Sequence, residues 1–408
     1  MLGMFLQIAF IAPAFLGPRP LECPSEQGVR IVRADGSVNE VGRVSLDLVA
    51  GCSFFGPDGR LATIPIAEVL QIELGGESSS ELPAALVSLH DGSRVLGTIV
   101  GGDEDTLTID LCSSLEVRFC VDAIAALFLG PEAAFGESRL YAREPDKDVV
   151  YRRSESGGDF TTGTLISFGA DGFRFQYVSG TGKFAYTEVE ALTLSLQTDL
   201  PVPSATMVEA DLWPDGVLKG VFESFSDQGL KLRPLLSEES VEIPRAMLRG
   251  LRFPGEHHRW LSDLTPSGVE EIPYLGERDH FLFPWRRDRS VTGRPLSIAG
   301  RRFAKGLGCH SRCLLSYDLS KVGASSFRAE VGISDEVLRL PHPGSVEFAV
   351  IVDGQEVFRS ARMRAGDPAR VVGPIPLNDK RSIQLLTDFG ADEDIADRAL
   401  WVNPVLLR

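Results

Sequence analysis

Four apolar residues spaced five, three and two apart occur four times in the first 253 residues of this 408-residue chain. They are Ile64, Val69, Ile72 and Leu74; Phe119, Ile124, Leu127 and Leu129; Phe184, Val189, Leu192 and Leu194; and Ile243, Leu248, Leu251 and Phe253. A glycine lies 21 to 23 residues before each set, at Gly42, Gly97, Gly163 and Gly220. Asp35-Gly36, Asp91-Gly92 and Asp215-Gly216 precede three of these glycines, and Gly157-Gly158-Asp159 precedes the other. Repetition at this scale means that one supersecondary unit has been copied.

The unit reads as five short strands. Asp-Gly supplies the positive φ angles of a tight hairpin turn. The later glycine permits a sharp strand bend. Segments such as Pro65-Ile66-Ala67-Glu68 and Pro244-Arg245-Ala246-Met247 supply one helical turn before the last strand. That order predicts a small SH3-like barrel, whose curl protects strand edges. Four barrels are expected, over 28–74, 84–130, 149–196 and 203–254, with linkers near 75–83, 131–148 and 198–204. Each unit of about 46 residues is marginal alone, so the copies are expected to pack together. Most aromatics fall on core-like positions, which favours a spacer or rigid stalk over a ligand-binding role.

Composition narrows the class. A chain this long needs two or more cores. Short alternating runs such as Leu107-Thr108-Ile109-Asp110-Leu111 dominate, and long helical periodicity is absent, so the chain reads as all-β. A net charge of −16 argues against nucleic acid, which is bound by releasing counterions to Lys and Arg. The apolar stretch Met1 to Gly17 is too short to cross a bilayer and resembles the h-region of a secretory signal. Residues 1–22 are therefore expected to direct export, to a secreted, periplasmic or cell-surface location with no other transmembrane segment. Cys309 and Cys313 read as one strand, roughly 13 Å apart. A disulfide needs Cα atoms within about 7 Å, so buried free thiols are expected.

From Trp260 the texture changes. Trp260-Leu261-Ser262-Asp263-Leu264 is followed by Lys305-Gly306-Leu307-Gly308-Cys309-His310-Ser311 and Val331-Gly332-Ile333-Ser334-Asp335-Glu336. Then come Gly344 to Gly354, Asp388-Phe389-Gly390 and Asp397 to Trp401. In order and spacing these words resemble the NPCBM family, a carbohydrate-binding module noted beside family 98 glycoside hydrolases. The resemblance spans 260–408 and implies a galactose-binding-like jelly-roll β-sandwich. The residues support strands independently: Val346 to Val352 and Gln355 to Phe358 flank the hairpin signal Asp353-Gly354.

Sugar recognition needs an apolar plate for the ring and planar polar groups for the hydroxyls. The candidates are Tyr274, Phe283, Trp285 and Arg286, with His310 and Trp401 from the family words. Core packing competes with a ligand role for Trp401, and a buried hydrogen-bonding role competes for His310. The resemblance also makes a structural Ca²⁺ plausible, with Asp388, Asp394 and Asp397 as ligands. One departure stands out. The family's last word usually reads Asp-His-Ala-Asp-Trp-Ala, whereas Arg398 and Leu400 replace its His and second Asp. If those positions build the site, this copy keeps the fold without the binding.

No nucleophile elbow, HExxH, Walker loop or dinucleotide glycine pattern occurs. Two carboxylates suffice for a glycosidase, but the repeats and the module leave no room for a catalytic domain. The expectation is a secreted, non-catalytic protein binding a glycan or glycoconjugate through its C-terminal module. The alternative is a structural or protein-interaction component of the cell envelope, contacting envelope proteins. A glycoside hydrolase is the third and least favoured reading.

Overall fold

The computed structural model describes residues 28–408 apart from 48–49, 57, 76–84, 112–114, 131–145, 154–158, 196–205, 236, 238, 256, 277–282 and 392. The expected export segment and most of the expected linkers lie outside the described residues. The described chain is built almost wholly of β-strands and loops, and its helices are short 3-10 segments of three to five residues. No described helix is long and apolar enough to cross a membrane.

The repeat is visible strand by strand. In the first copy Val29–Arg33 pairs with Val38–Val41 and with the last strand, Val69–Glu73. Val44–Asp47 pairs with Gly51–Phe55, which pairs with Leu61–Ile64. The turn Ile66–Glu68 then leads into the last strand. The other three copies follow the same order, with turns Val121–Ala123, Tyr186–Glu188 and Arg245–Met247. Among the described residues no ladder joins the fourth strand to the fifth; the 3-10 turn bridges them. Each unit is thus a strongly curled sheet rather than a fully closed barrel. The ladder between first and last strands shifts register at matching points in every copy, between Val32 and Arg33, Ile124 and Ala126, Tyr151 and Arg152, and Asp211 and Leu212.

All sixteen residues of the sequence pattern are buried, at 7% exposure or less. They join one continuous core. The glycines explain the bend. A Cβ on Gly97, Gly163 or Gly220 would lie 2.4, 2.0 or 2.6 Å from an atom of the facing strand, closer than any real contact. Gly42 has nothing within 4 Å, because the chain simply breaks there between two shorter strands.

The copies do not pack in chain order. The last strands of the second and third pair antiparallel, with Leu127 opposite Leu192. Those of the fourth and first pair the same way, with Leu251 opposite Ile72. Single bridges, Val217 to Arg94 and Phe225 to Leu46, tie the fourth copy to the second and first.

The C-terminal part is a jelly-roll sandwich. One sheet runs Gly268–Glu271, Cys313–Asp318, Ser382–Phe389, Val346–Val352, Gln355–Arg359. The other runs Arg286–Arg287, Gly306–His310, Arg398–Leu407, Ser326–Ile333, Arg370–Pro376, with His258–Trp260 also on Arg398–Leu407. Leu307, Phe327, Val331, Phe348, Leu385 and Trp401 fill the space between them.

The sandwich is docked on the first and fourth repeats. Trp260, Val405 and Leu407 pack with Leu70, Val32 and Ala34. Lys305, 4% exposed, donates to Asp263 at 2.6 Å and Asp288 at 3.3 Å, and reaches Glu209 of the fourth repeat at 3.7 Å. Glu209 also accepts from fully buried Arg252 at 3.1 Å and meets Lys219 at 3.3 Å. Burial alone would raise the Glu209 carboxyl, but Lys305, Arg252 and Lys219 outweigh it and hold it down at about 2. Burial would likewise depress the Lys305 ammonium, yet Asp288, Glu209 and Asp263 raise it above the usual lysine range. Arg289 to Asp215 at 2.8 Å and Arg301 to Glu73 at 2.9 Å flank this cluster.

Candidate functional site

At one end of the sandwich, loops from both sheets meet. Tyr274 follows the strand Gly268–Glu271, and its backbone N–H donates to Asp394 at 3.1 Å. Its ring meets Phe389 edge-on at 5.3 Å and remains 47% exposed. Arg286–Arg287 pairs with Gly306–His310, and this brings the preceding Phe283 beside His310. The two rings stack at 5.3 Å. Arg398 lies over Phe283 at 5.5 Å and meets Glu336 at 3.4 Å. Glu336 also accepts the Thr292 hydroxyl and lies 3.7 Å from Arg294.

His310 is buried, and its Nδ1 lies 3.1 Å from the Ser311 carbonyl. Burial holds its imidazole below the ordinary value, against the opposing pull of that carbonyl and of Asp394. At neutral pH it is therefore an uncharged hydrogen-bonding group.

The other expected residues divide between support and core. Trp285 is half-buried against the core, its backbone N–H donates to Glu271 at 2.6 Å, and Arg287 lies over its ring at 5.5 Å. Arg286 turns back to its own loop, donating from Nε to the Val291 carbonyl at 2.9 Å. Trp401 is fully buried, packs edge-on against Phe348 and donates to Thr387 at 3.1 Å. It has no face to offer a sugar, so the core role prevails there. Cys309 and Cys313 are not on one strand. A turn separates the two strands, so the thiols touch, and this contact together with burial raises Cys313 well above the usual thiol range. Both remain free thiols.

The three carboxylates expected to hold calcium do not converge. Asp388 faces Arg312 at 3.5 Å and Arg359 at 3.6 Å. Asp394 caps the Tyr274 backbone. Asp397 is fully buried, accepting from the Ser345 backbone at 2.7 Å and from the Ser311 hydroxyl. Among the described residues no three His, Cys, Asp or Glu side chains could share a metal ion. These donors do not fit a calcium site.

The two departures from the family word fall in different places. Arg398 stands at the rim. Leu400 faces the other way, in a small core with Leu296, Ile298 and Phe303. Phe389 and Glu336 join the rim without having been singled out as ligand contacts. Phe389 sat inside the Asp388-Phe389-Gly390 word, and Glu336 beside Asp335 in another, so both were visible as positions but not as chemistry.

The segment is thus a two-sheet β-sandwich with aromatic and polar side chains gathered at one end. Residues 257–407 match the family model described as the NPCBM/NEW2 domain. The chain is 31% identical over 121 residues to an alpha-1,3-galactosidase B of Akkermansia muciniphila. It is 32% identical over 115 residues to a protein of Renibacterium salmoninarum named as an endo-alpha-N-acetylgalactosaminidase. These matches cover 29% and 28% of this chain but only 15% and 7% of the relatives. Among solved structures, a CBM51 module from a Clostridium perfringens GH95 enzyme in complex with methyl-galactose is 21% identical, with a TM-score of 0.32. That match covers 36% of this chain and 99% of the module. Tandem CBM51 modules of a Streptococcus pneumoniae family 98 glycoside hydrolase are 12% identical, with a TM-score of 0.31, covering 93% of this chain and 88% of theirs.

Proposed function

We propose that this chain is an exported, non-catalytic glycan-binding protein whose NPCBM/NEW2 domain receives a neutral sugar at the Tyr274 rim. The observation that supports this reading most directly is Tyr274 itself. Its backbone N–H donates to Asp394 and its ring rests on Phe389 yet stays open to solvent, and the hydrogen-bonding groups of His310, Arg398 and Glu336 gather at the same end. An apolar plate beside planar polar groups suits a pyranose. Trp285 supports the loop from beneath. The repeats act as a rigid platform, because buried charges and apolar contacts fasten the module to two of them.

The test is calorimetric titration with methyl-galactoside, the ligand named for the Clostridium perfringens module, followed by a glycan array. Tyr274→Ala should weaken binding by about tenfold or more, the loss expected when an anchoring aromatic is removed. Trp285→Ala should weaken it less and lower the melting temperature.

A second reading has one observation behind it. Arg398, Phe283, His310 and Glu336 already engage one another, as they would in a site turned to protein contact in the cell envelope. A silent array with full retention of fold would favour that reading.

A further inference from the structure

The third repeat carries a groove of about 480 Å³ whose lining includes Arg152, Arg153, Tyr177, Lys183, Phe184 and Glu188. Three cations face one carboxylate there, in a chain whose net charge is −16. We propose that this groove is a second binding site, for a saccharide unit bearing a carboxylate or sulfate.

The argument begins with a comparison between copies. Arg152 stands opposite Val189 at the register shift, and Arg33 stands opposite Val69 at the same point of the first repeat. In the first repeat Arg33 is neutralised by Glu68 on the 3-10 turn. The third repeat keeps an acid at that turn position, Glu188, yet Arg152 is instead matched with Asp159 at 4.0 Å, the limit of an ion pair. The third repeat also adds a second cation, Arg153, where the first has Ala34. Lys183 adds another, and it stands directly opposite Arg174 on the neighbouring strand. Like charges facing across a ladder destabilise it unless a counter-charge arrives. An anionic guest would supply one.

The groove is also shaped. Arg153 is pinned by donating to the Leu129 carbonyl, and its backbone N–H donates to the Glu188 backbone carbonyl at 2.9 Å. Arg152 lies over the Phe184 ring at 4.9 Å. Tyr177 meets Phe184 edge-on at 6.4 Å, and a side chain on Gly182 would crowd the Tyr177 ring at 3.2 Å. The Arg152 guanidinium, held over a ring with only a 4.0 Å ion pair, suits a bidentate oxyanion. The half-buried Tyr177 ring in the same groove suits the sugar that carries the oxyanion. The charge preference rests on the groove alone; the sugar rests on the glycan reading above.

The experiment is NMR or calorimetric titration of the full chain with galacturonate oligomers, galactose 6-sulfate, methyl-galactoside and inorganic sulfate. The acidic sugars should bind, with affinity that falls as salt rises. Arg152→Gln with Lys183→Gln, both on exposed side chains, should weaken them about tenfold. Tyr274→Ala should leave them unchanged, which separates this site from the rim. Binding of inorganic sulfate as tight as that of the sulfated sugar would overturn the saccharide assignment. Equal binding of methyl-galactoside at the groove, or no change in the double variant, would overturn the charge assignment.

Discussion

The repeats and the module use their recurring residues differently. In the repeats every residue of the pattern is apolar, and every one is buried in a shared core. In the module most residues of the family words are also structural. Lys305 ties the module to the fourth repeat, Asp397 holds two loops together, and Trp401 fills the sandwich. A Cβ on Gly306 or Gly308 would sit 2.6 or 2.3 Å from a neighbouring backbone oxygen. Of the residues suited to a ligand, the rings of Tyr274 and Phe283 lie between the words, and the polar groups of His310, Glu336 and Arg398 lie within them. The words thus supply mostly what the fold needs, and the apolar part of the rim comes from the loops beside them.

The strongest way to break this contrast is at Lys305. Lys305→Met would take from buried Glu209 one of its three cations and leave the more exposed Asp263 and Asp288 without theirs, a loss of about 3 kcal/mol, the low end for breaking a buried pair. Arg301→Ala removes a more exposed bridge to Glu73 and should cost less than about 1 kcal/mol. Urea denaturation of the full chain measures both. If Lys305→Met shifts only a module transition and leaves the repeats untouched, the two parts are not fastened as described.

The joint also gives an acid response with two windows. His258 is buried beside Trp260, both its ring nitrogens lack partners, and burial, helped by Arg259, lowers it to about 4. The unfolded chain takes up this proton near 6.5, so stability falls between pH 6.5 and 4 by up to about 3 kcal/mol. Glu209, held at about 2, adds stability above its unfolded value of 4.5 that is lost between 4.5 and 2. His258→Phe should shrink the upper window to what buried His310 contributes and leave the lower one. A single transition near pH 4 in both proteins would contradict the assignment.

The repeat glycines sharpen the comparison further. Gly163→Ala places a methyl 2.0 Å from the Gln176 carbonyl and should cost about 1–3 kcal/mol. Gly42→Ala meets nothing and should be neutral or stabilising by about 0.4–1 kcal/mol, through the unfolded state. Melting temperatures of the two variants decide whether the copies are equivalent at this position.

Strand order and core were legible because burial imposes a spacing on apolar residues, and Ile64 through Leu74 shows it four times over. The jelly roll was legible through Gly306, Gly308 and Trp401, which the backbone constrains. Pairing of the first repeat with the fourth was not legible. Every last strand carries the same apolar spacing, so nothing local distinguishes Ile72 opposite Leu251 from another match. The rim was half legible: Tyr274 and His310 were visible as residue types, but stacking of Phe283 on His310 depends on a strand pairing 20 residues away. The carboxylates failed for a related reason. Asp388, Asp394 and Asp397 are neighbours in sequence, while their partners Arg312, Arg359, Tyr274 and Ser345 come from distant parts of the chain.

The smallest expected effect follows from that last point. A ligand bound only by the folded state raises its stability in proportion to occupancy, so removing a structural metal lowers the melting temperature. Here Asp388 is balanced by two arginines, Asp394 caps a backbone N–H, and Asp397 already accepts two hydrogen bonds. Chelation with EDTA should therefore move the melting temperature by less than about 1 °C, and added Ca²⁺ should not raise it. A calcium-dependent rise of several degrees would mean that other oxygens, such as backbone carbonyls, complete a site these carboxylates do not form by themselves. Asp397→Asn supplies the control. It keeps the Ser345 contact but weakens a charge-assisted bond, so it should destabilise equally with and without the metal.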